Sequence, residues 1–515
     1  LANVLESYPR DELFQINEDT LYRFAIDIMN LMERPRVRAL ARPDEFDRFV
    51  SVLVFIPKDR YDTNVRRRVG EFLAGVFRGR LSAAYPAYPE GALARTHYII
   101  GRDEGTTPVV DRAALEQGII AITQTWSDRL AEALADAVGG RRARALAARY
   151  ANAFNAAYRE AFDVDRALDD IEILERLSDA RPRAVDLYRR EGDPDTRINL
   201  KVFSRGTALP LSERVPLLEN LGFRVLNERT YRVTPAGAPH DERIWLHDMA
   251  LERVTGESID IGAIEGPIEA TLLALFRGLA ESDGFNRIVL EAELGWRDVA
   301  MVRTLGRYLR QIGVPFGLNY VATTLARHPA VTKAVVALFY ARFDPRLDSA
   351  SRETAERAIR GEIEKLLNDV TSLDEDRILR RFLNLVEACV RTNFFQIGQN
   401  GLPVETIAFK FEGARVEELP RPRPLFEIFM NSPRLEALHL RFGKVARGGI
   451  RWTDRPQDFR TEILGLVKAQ QVKNAVIVPV GAKGGFVPKL LPPASDRQAW
   501  LTEGTESYRI FVRTL

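Results

Sequence analysis

Apolar residues recur at helical spacing near the start of the chain, at Leu21, Phe24, Ala25, Ile28 and Leu31, and predict an opening helix. The period then changes. Phe49 to Ile56 is a short, almost continuous apolar run, which reads as a buried strand. Asp62 stands where it can cap the next helix, whose apolar face is Val65, Val69, Phe72, Leu73 and Val76. "RLSAAYPAY" and "ARTHYIIGR" follow as two strands. Strand, helix, strand, strand is the first part of a ferredoxin-like sandwich.

From about 111 to 190 the pattern is helical. "ALEQGIIAITQTWSDRLAEALADAVGG" reads as one strong helix ended by glycines, "RARALAARYANAFNAAYREAF" as a second and "DVDRALDDIEILERL" as a third. Then the earlier order returns. "RINLKVFSR" is a strand, and "LSERVPLLENLGF" a helix with Ser212 as candidate N-cap and Gly222 as its stop. "RVLNERTYRV" and "ERIWLHDMAL" are two more strands. The chain therefore repeats a fold pattern without repeating its sequence.

Residues 264 to 395 are again mostly helical. "GQNGLPV" is a turn-rich joint, and "TIAFKFEG", "LFEIFM" and "LEALHLRFGK" read as strands of another mixed domain. The expected organisation is a helical lead-in (1–45), a mixed unit (46–110), a helical region (111–190), a second mixed unit (195–262), a helical region (264–397) and the start of a larger mixed domain (398–515). The fold class is α+β / α/β multidomain, with βαββ units alternating with helical regions.

Composition narrows the function classes. With 515 residues and a net charge of +2, the chain has no global field favouring nucleic acid, and its arginines are interleaved with acids. The single cysteine, Cys389, excludes an internal disulfide and reads as a core residue of an apolar helix. The five histidines show no metal-ligand spacing, so no metal is expected. No apolar run reaches the ~18 residues of a membrane helix, and no signal peptide is visible. A cytoplasmic protein without membrane contact is expected. The chain opens on "LANVLESYPR" and stops in "YRIFVRTL", and both ends read as cuts through a longer protein.

The chemistry concentrates in "RFGKVARGGIRWTDRPQDFRTEILGLVKAQQVKNAVIVPVGAKGGFVPK". "ARGGIR" sets Arg447 and Arg451 around Gly448 and Gly449. "TDRPQDFRTEILGLVKAQQVK" reads as an amphipathic helix, with Asp454 near its cap, Pro456 in its first turn, and Phe459, Ile463, Leu466 and Val467 on its apolar face. "NAVIVPV" reads as a buried strand that "GAKGG" closes. Arg447 precedes the helix, Lys473 ends it and Lys483 follows the strand. Three cations in a glycine-lined cleft suit a small dicarboxylate, and a lysine so placed can act as a base. The P-loop pattern GxxxxGK[ST] fails, because Gly484 follows Lys483. Taken alone, "GAKGG" also reads as a structural turn.

This run resembles the substrate-binding segment of glutamate dehydrogenases, and most closely that of the large NAD-specific enzymes of bacteria. The two strand–helix–strand–strand units are similar to the ACT domains of that family's regulatory region. The resemblance implies that Lys483 is the catalytic lysine, which activates water for attack on iminoglutarate. It implies that Lys473 holds the α-carboxylate and that Arg447, in place of a lysine, holds the distal carboxylate. Gly448 would permit close backbone approach.

The implied reaction is oxidative deamination of L-glutamate to 2-oxoglutarate and ammonia, with NAD as cofactor. The sequence has no GxGxxG after a strand, so NAD is expected on a downstream domain outside this chain. These residues alone are expected to be inactive. Family likeness also implies a homo-oligomer and an amino-acid effector at the ACT-like units. A second reading stays open, in which the ACT-like units form an amino-acid-sensing module without catalysis of its own.

Overall fold

The computed structural model describes residues 2–103, 105–238, 243–399, 401–473 and 481–515, without the side chains of Ala2, Asn3, Met32, Arg447 and residues 471–473. The chain separates into two compact units, residues 1–172 with 234–238, and residues 173–233 with 239–515.

The first unit opens with α1 (Ala2–Ser7), α2 (Arg10–Leu13) and α3 (Glu18–Glu33). Next come β1 (Arg38–Pro43), β2 (Phe49–Pro57), α4 (Thr63–Val76), β3 (Gly79–Ala87), β4 (Leu93–Arg102) and α5 (Arg112–Thr123). The strands form one antiparallel sheet in the order β1-β2-β4-β3. Asp62 caps α4 by accepting from the Val65 amide at 2.7 Å. Val69 and Leu73 of α4 then pack with Val50, Val52, Val54, Tyr98 and Ile100 on one face of the sheet. On the other face Tyr8, Leu31, Leu40, Leu53 and Phe55 form a second core with α2 and α3.

Strand β1 falls within the stretch that the sequence reads as helical lead-in. Its two arginines hide the strand pattern. Arg42 is matched by two hydrogen bonds to Glu12, at 2.9 and 2.8 Å, and Arg38 by Asp27 and Glu116. Those partners are remote in sequence.

The helical region continues with α6 (Trp126–Val138), α7 (Gly140–Tyr150), α8 (Ala156–Ala161) and α9 (Val164–Arg176). The first expected helix is in fact two, α5 and α6. Thr125 breaks it by forming a capping box with Asp128. The second is also two, α7 and α8, because Asn155 caps α8 at the Tyr158 amide, 2.9 Å away.

The second unit contains β5 (Arg183–Tyr188), β6 (Arg197–Arg205), α10 (Leu211–Asn220), β7 (Phe223–Val233), β8 (Ile244–Arg253) and α11 (Ile261–Phe276). Its sheet runs β5-β6-β8-β7, again antiparallel throughout. Here too a strand precedes the expected four elements. Gly222 follows α10 with φ of 97°, as a helix stop requires. Ser212 is not the cap, because α10 already begins at Leu211, behind Pro210.

Helices α12 (Arg287–Glu291), α13 (Trp296–Gln311), α14 (Leu318–Arg327), α15 (Pro329–Phe343), α16 (Ser349–Leu367) and α17 (Leu373–Ala388) follow. Then come β9 (Cys389–Thr392), β10 (Ile407–Glu412), β11 (Phe426–Asn431), β12 (Leu435–Arg441), β13 (Arg447–Trp452), α18 (Phe459–Lys473), β14 (Gly481–Pro488) and α19 (Arg497–Thr514). Among the described residues these six strands form one sheet, β13-β14-β12-β11-β10-β9, in which only β13 and β14 run parallel. Cys389 is a core residue, but it starts β9 rather than continuing a helix, and burial pushes its thiol up to about 12. One continuous core joins β5 and β6, through α11 to α17, to Phe409, Phe429 and Leu438 of the six-stranded sheet and to α18. Among the described residues no helix is long and apolar enough to cross a membrane.

Candidate functional site

The informative run folds as strand, helix, strand. In-register parallel pairing sets Arg447 beside Gly481, Gly448 beside Ala482 and Gly449 beside Lys483. The sequence predicts "GAKGG" as a turn that closes a strand. Instead these residues lie within β14, hydrogen-bonded to β12 on one side and β13 on the other. The predicted strand "NAVIVPV" lies at 474–480, outside the described residues.

The glycines serve close approach. A Cβ on Gly448 would stand 1.5 Å from the Ala482 carbonyl oxygen, so no side chain fits there. A Cβ on Gly485 would stand 2.5 Å from Ile463 of α18, and one on Gly484 would stand 2.9 Å from Phe511 of α19. Two glycines after Lys483 therefore admit the protein's own side chains, one on each face of the sheet. Gly449 differs. A Cβ there would meet only the Lys483 Nζ, at 3.5 Å. The half-buried Lys483 ammonium thus lies over the bare backbone of Gly449. It forms no ion pair or hydrogen bond with any described residue.

Helix α18 begins at Phe459, later than the sequence reading places it, so Asp454 and Pro456 precede it rather than capping it. The loop is held from α13, since Gln311 Nε2 and Arg310 Nη2 donate to the Pro456 carbonyl at 2.9 and 2.6 Å. Phe459, Ile463 and Val467 are fully buried, as the apolar face predicts. Arg460 is fully buried too. It donates through Nε and Nη2 to Glu427 of β11, which also accepts from the Tyr308 hydroxyl at 2.8 Å. This ion pair fastens the first turn of α18 to the sheet. Arg451 of β13 pairs with Glu462 of α18, which also accepts from the Thr453 hydroxyl at 2.6 Å.

Just beyond β14, Lys489 donates to Glu281 at 3.0 Å, to the Asn431 amide oxygen at 2.6 Å and to the Ser432 carbonyl at 2.8 Å. Burial pushes its pKa below the ordinary lysine value, with Glu281 opposing the shift. Sequence reasoning singled out Arg451 but missed the other positioning groups. Their one signal was a lone glutamate inside an apolar strand, Glu427 in "LFEIFM".

Of the four site residues that the resemblance implies, Gly448 and Lys483 are placed by paired backbone. Arg447 begins β13 and Lys473 ends α18, but their side chains lie outside the described residues. A dinucleotide cradle does not fit the described residues. Among the described residues the one parallel strand pair has Gly485 and Gly484 of β14 filled by Ile463 and Phe511, and the sequence has no GxGxxG to turn from a strand into a helix.

Residues 362–515 match a family model described as the catalytic domain of bacterial NAD-glutamate dehydrogenase. Other models of glutamate dehydrogenase match as ACT2 domain (38–127), ACT3 domain (182–264) and helical motifs 1, 2 and 3 (1–34, 133–177 and 280–345). The ACT2 match starts with β1, and the ACT3 match starts one residue before β5. Among curated relatives, proteins named NAD-specific glutamate dehydrogenase match the whole chain. Those of Halomonas elongata, Pseudomonas aeruginosa and Mycobacterium tuberculosis are 42%, 40% and 37% identical, over 32%, 32% and 33% of their own lengths. The chain spans about a third of these relatives.

Proposed function

The chain belongs to the family of large bacterial NAD-specific glutamate dehydrogenases, and from that premise we propose that it carries the ACT-type region and the substrate-binding half of the active site of an enzyme that oxidatively deaminates L-glutamate to 2-oxoglutarate and ammonia. The observation that carries this reading is the Lys483 ammonium lying over Gly449, free of any carboxylate among the described residues. A lysine kept out of ion pairs is available for substrate and for proton transfer. Arg447 and Lys473 are the proposed partners of the distal carboxylate and the α-carboxylate, and a guanidinium suits the former through bidentate pairing. Once hydride transfer has turned the substrate into an imine, Lys483, as the neutral amine, takes a proton from the water that adds to the imine carbon, and the amino group leaves as ammonia. NAD, which accepts the hydride, is proposed to bind elsewhere in the longer protein.

The same proposal extends to a cytoplasmic homo-oligomer with an amino-acid effector at the ACT-type units. Its support is that, among the described residues, β3 and β7 are edge strands with one side of each ladder unpaired. The test is NADH formation from L-glutamate by the intact protein. Arg447→Ala and Lys473→Ala should each raise the KM for glutamate, and Lys483→Ala should chiefly lower kcat. Unchanged kinetics in all three variants would overturn the site.

A further inference from the structure

The outer face of the first sheet carries charge that the proposed chemistry does not use. Three arginines stand there, two on β1 and one on β4, the strands that flank β2. Arg42 and Arg38 are neutralised by the carboxylates named above. Arg95 of β4 is not, and it forms no ion pair with any described residue. Its Nη1 donates to the Ser7 carbonyl, while its Nε is buried without a partner. Burial pushes its pKa below the ordinary arginine value, with Tyr8 opposing weakly. A half-buried guanidinium whose Nε is cut off from water without a partner is costly, and a carboxylate would relieve that cost.

Arg95 borders an apolar cavity of about 190 Å³ between the N-terminal helices and the sheet, lined by Val4, Ile28, Leu31, Phe55 and Leu93. Tyr8 lines it as well, and burial raises its phenol pKa, so the hydroxyl stays a donor. An engineered apolar cavity of about 150 Å³ takes up benzene, so a branched aliphatic or phenyl group fits here. On its other side Arg95 borders a polar cleft with Asp11, Glu12 and His97. Glu90 also lines the apolar cavity. These acids disfavour a second carboxylate on the ligand.

We propose that this cavity binds a small apolar monocarboxylate, with the carboxylate on the free edge of Arg95 and a branched or aromatic tail against Ile28, Leu31 and Phe55. The site is independent of the dicarboxylate site at Lys483, because it excludes dicarboxylates by charge. A bound acid bridges the N-terminal helices to the sheet, so it should also slow amide exchange in α3 and β4.

Titration calorimetry on the intact protein tests this with 4-methylpentanoate and phenylacetate, against 4-methylpentanamide and glutarate. Both acids should saturate one site. The amide and glutarate should bind at least about tenfold more weakly. Arg95→Gln should weaken the acids by a similar factor, Ile28→Trp should block them, and Lys483→Ala should leave them unchanged. The amide comparison uses the unaltered protein, so it stands whether or not a variant folds. No binding by either acid, equal binding of the amide, or loss on Lys483→Ala with retention in Ile28→Trp would each overturn the proposal.

Discussion

The two four-stranded sheets are built alike and packed differently. Each runs edge strand, long strand, helix, two strands, helix, and each has the same strand order. Even the bulge recurs, after the third residue of the outer strand, between Leu81 and Ala83 in β3 and between Val225 and Asn227 in β7. In the first unit the face toward α4 closes on its own small core, and the opposite face is covered by the N-terminal helices. In the second unit the inner face of β5 and β6 belongs to the core that reaches the catalytic-type sheet and α18. One pattern thus makes a self-contained module in one place and a wing of a larger domain in another. What decides is how much apolar surface the flanking helices present.

The largest expected effect separates chemistry from packing. In the intact protein Lys483→Ala should lower kcat for glutamate by about 10³ and leave urea unfolding of both units unchanged. An equal loss of kcat from Leu73→Ala in the first unit would erase the distinction. Next, Arg460→Met strands Glu427 in the core, at a cost of about 3–5 kcal/mol. Because that core is continuous, amide exchange should rise in β6 and β8 as well as in β11. A rise confined to β11 and α18 would split the second unit in two. Leu73→Ala empties part of the small core at about 2–5 kcal/mol, with faster exchange limited to the first unit.

Acid should separate the units less strongly. His247 is held down to about 4 by burial, then by Arg214, and His439 to about 4 by burial, then by Arg441. Their folded pKa values lie below the ordinary 6.5, so the unfolded chain binds protons that the folded chain refuses. The second unit should lose stability as pH falls from 6.5 toward 4, read as a falling Tm. In the first unit His97 shifts in the same direction, so its loss should be smaller but of the same sign. The smallest effect has the opposite sign. Glu269 is raised to about 7 by burial, then by Glu265 and Asp186. The stability linked to its protonated form is present at low pH and lost as pH rises from 4.5 through 7. Glu269→Gln should therefore raise the Tm of the second unit by a few degrees at pH 8 and barely change it at pH 4.

Long strands and amphipathic helices were legible in the chain because their periods report which face is buried. Phe49–Pro57, Thr63–Val76 and Arg197–Arg205 appear where their apolar runs place them. The motif around Lys483 stood out for a different reason, since its residue types and order resemble a known spelling, and the chemistry proposed for it rests on that likeness. Strands β1 and β5 were not legible. Arg38, Arg42 and Asp186 interrupt the apolar alternation of these strands, and for the two arginines the neutralising carboxylates come from helices far along the chain.

The sequence by itself determined the repeat of elements and supplied the spelling on which the proposed site rests, because each follows from local period or local residue identity. Only the tertiary structure decided that "GAKGG" lies in a strand paired on both sides, that Gly485 and Gly484 receive Ile463 and Phe511, and that Arg460 finds Glu427. Those outcomes depend on which distant surfaces meet. Close packing and the pairing of buried charge are properties of the meeting, not of either segment alone.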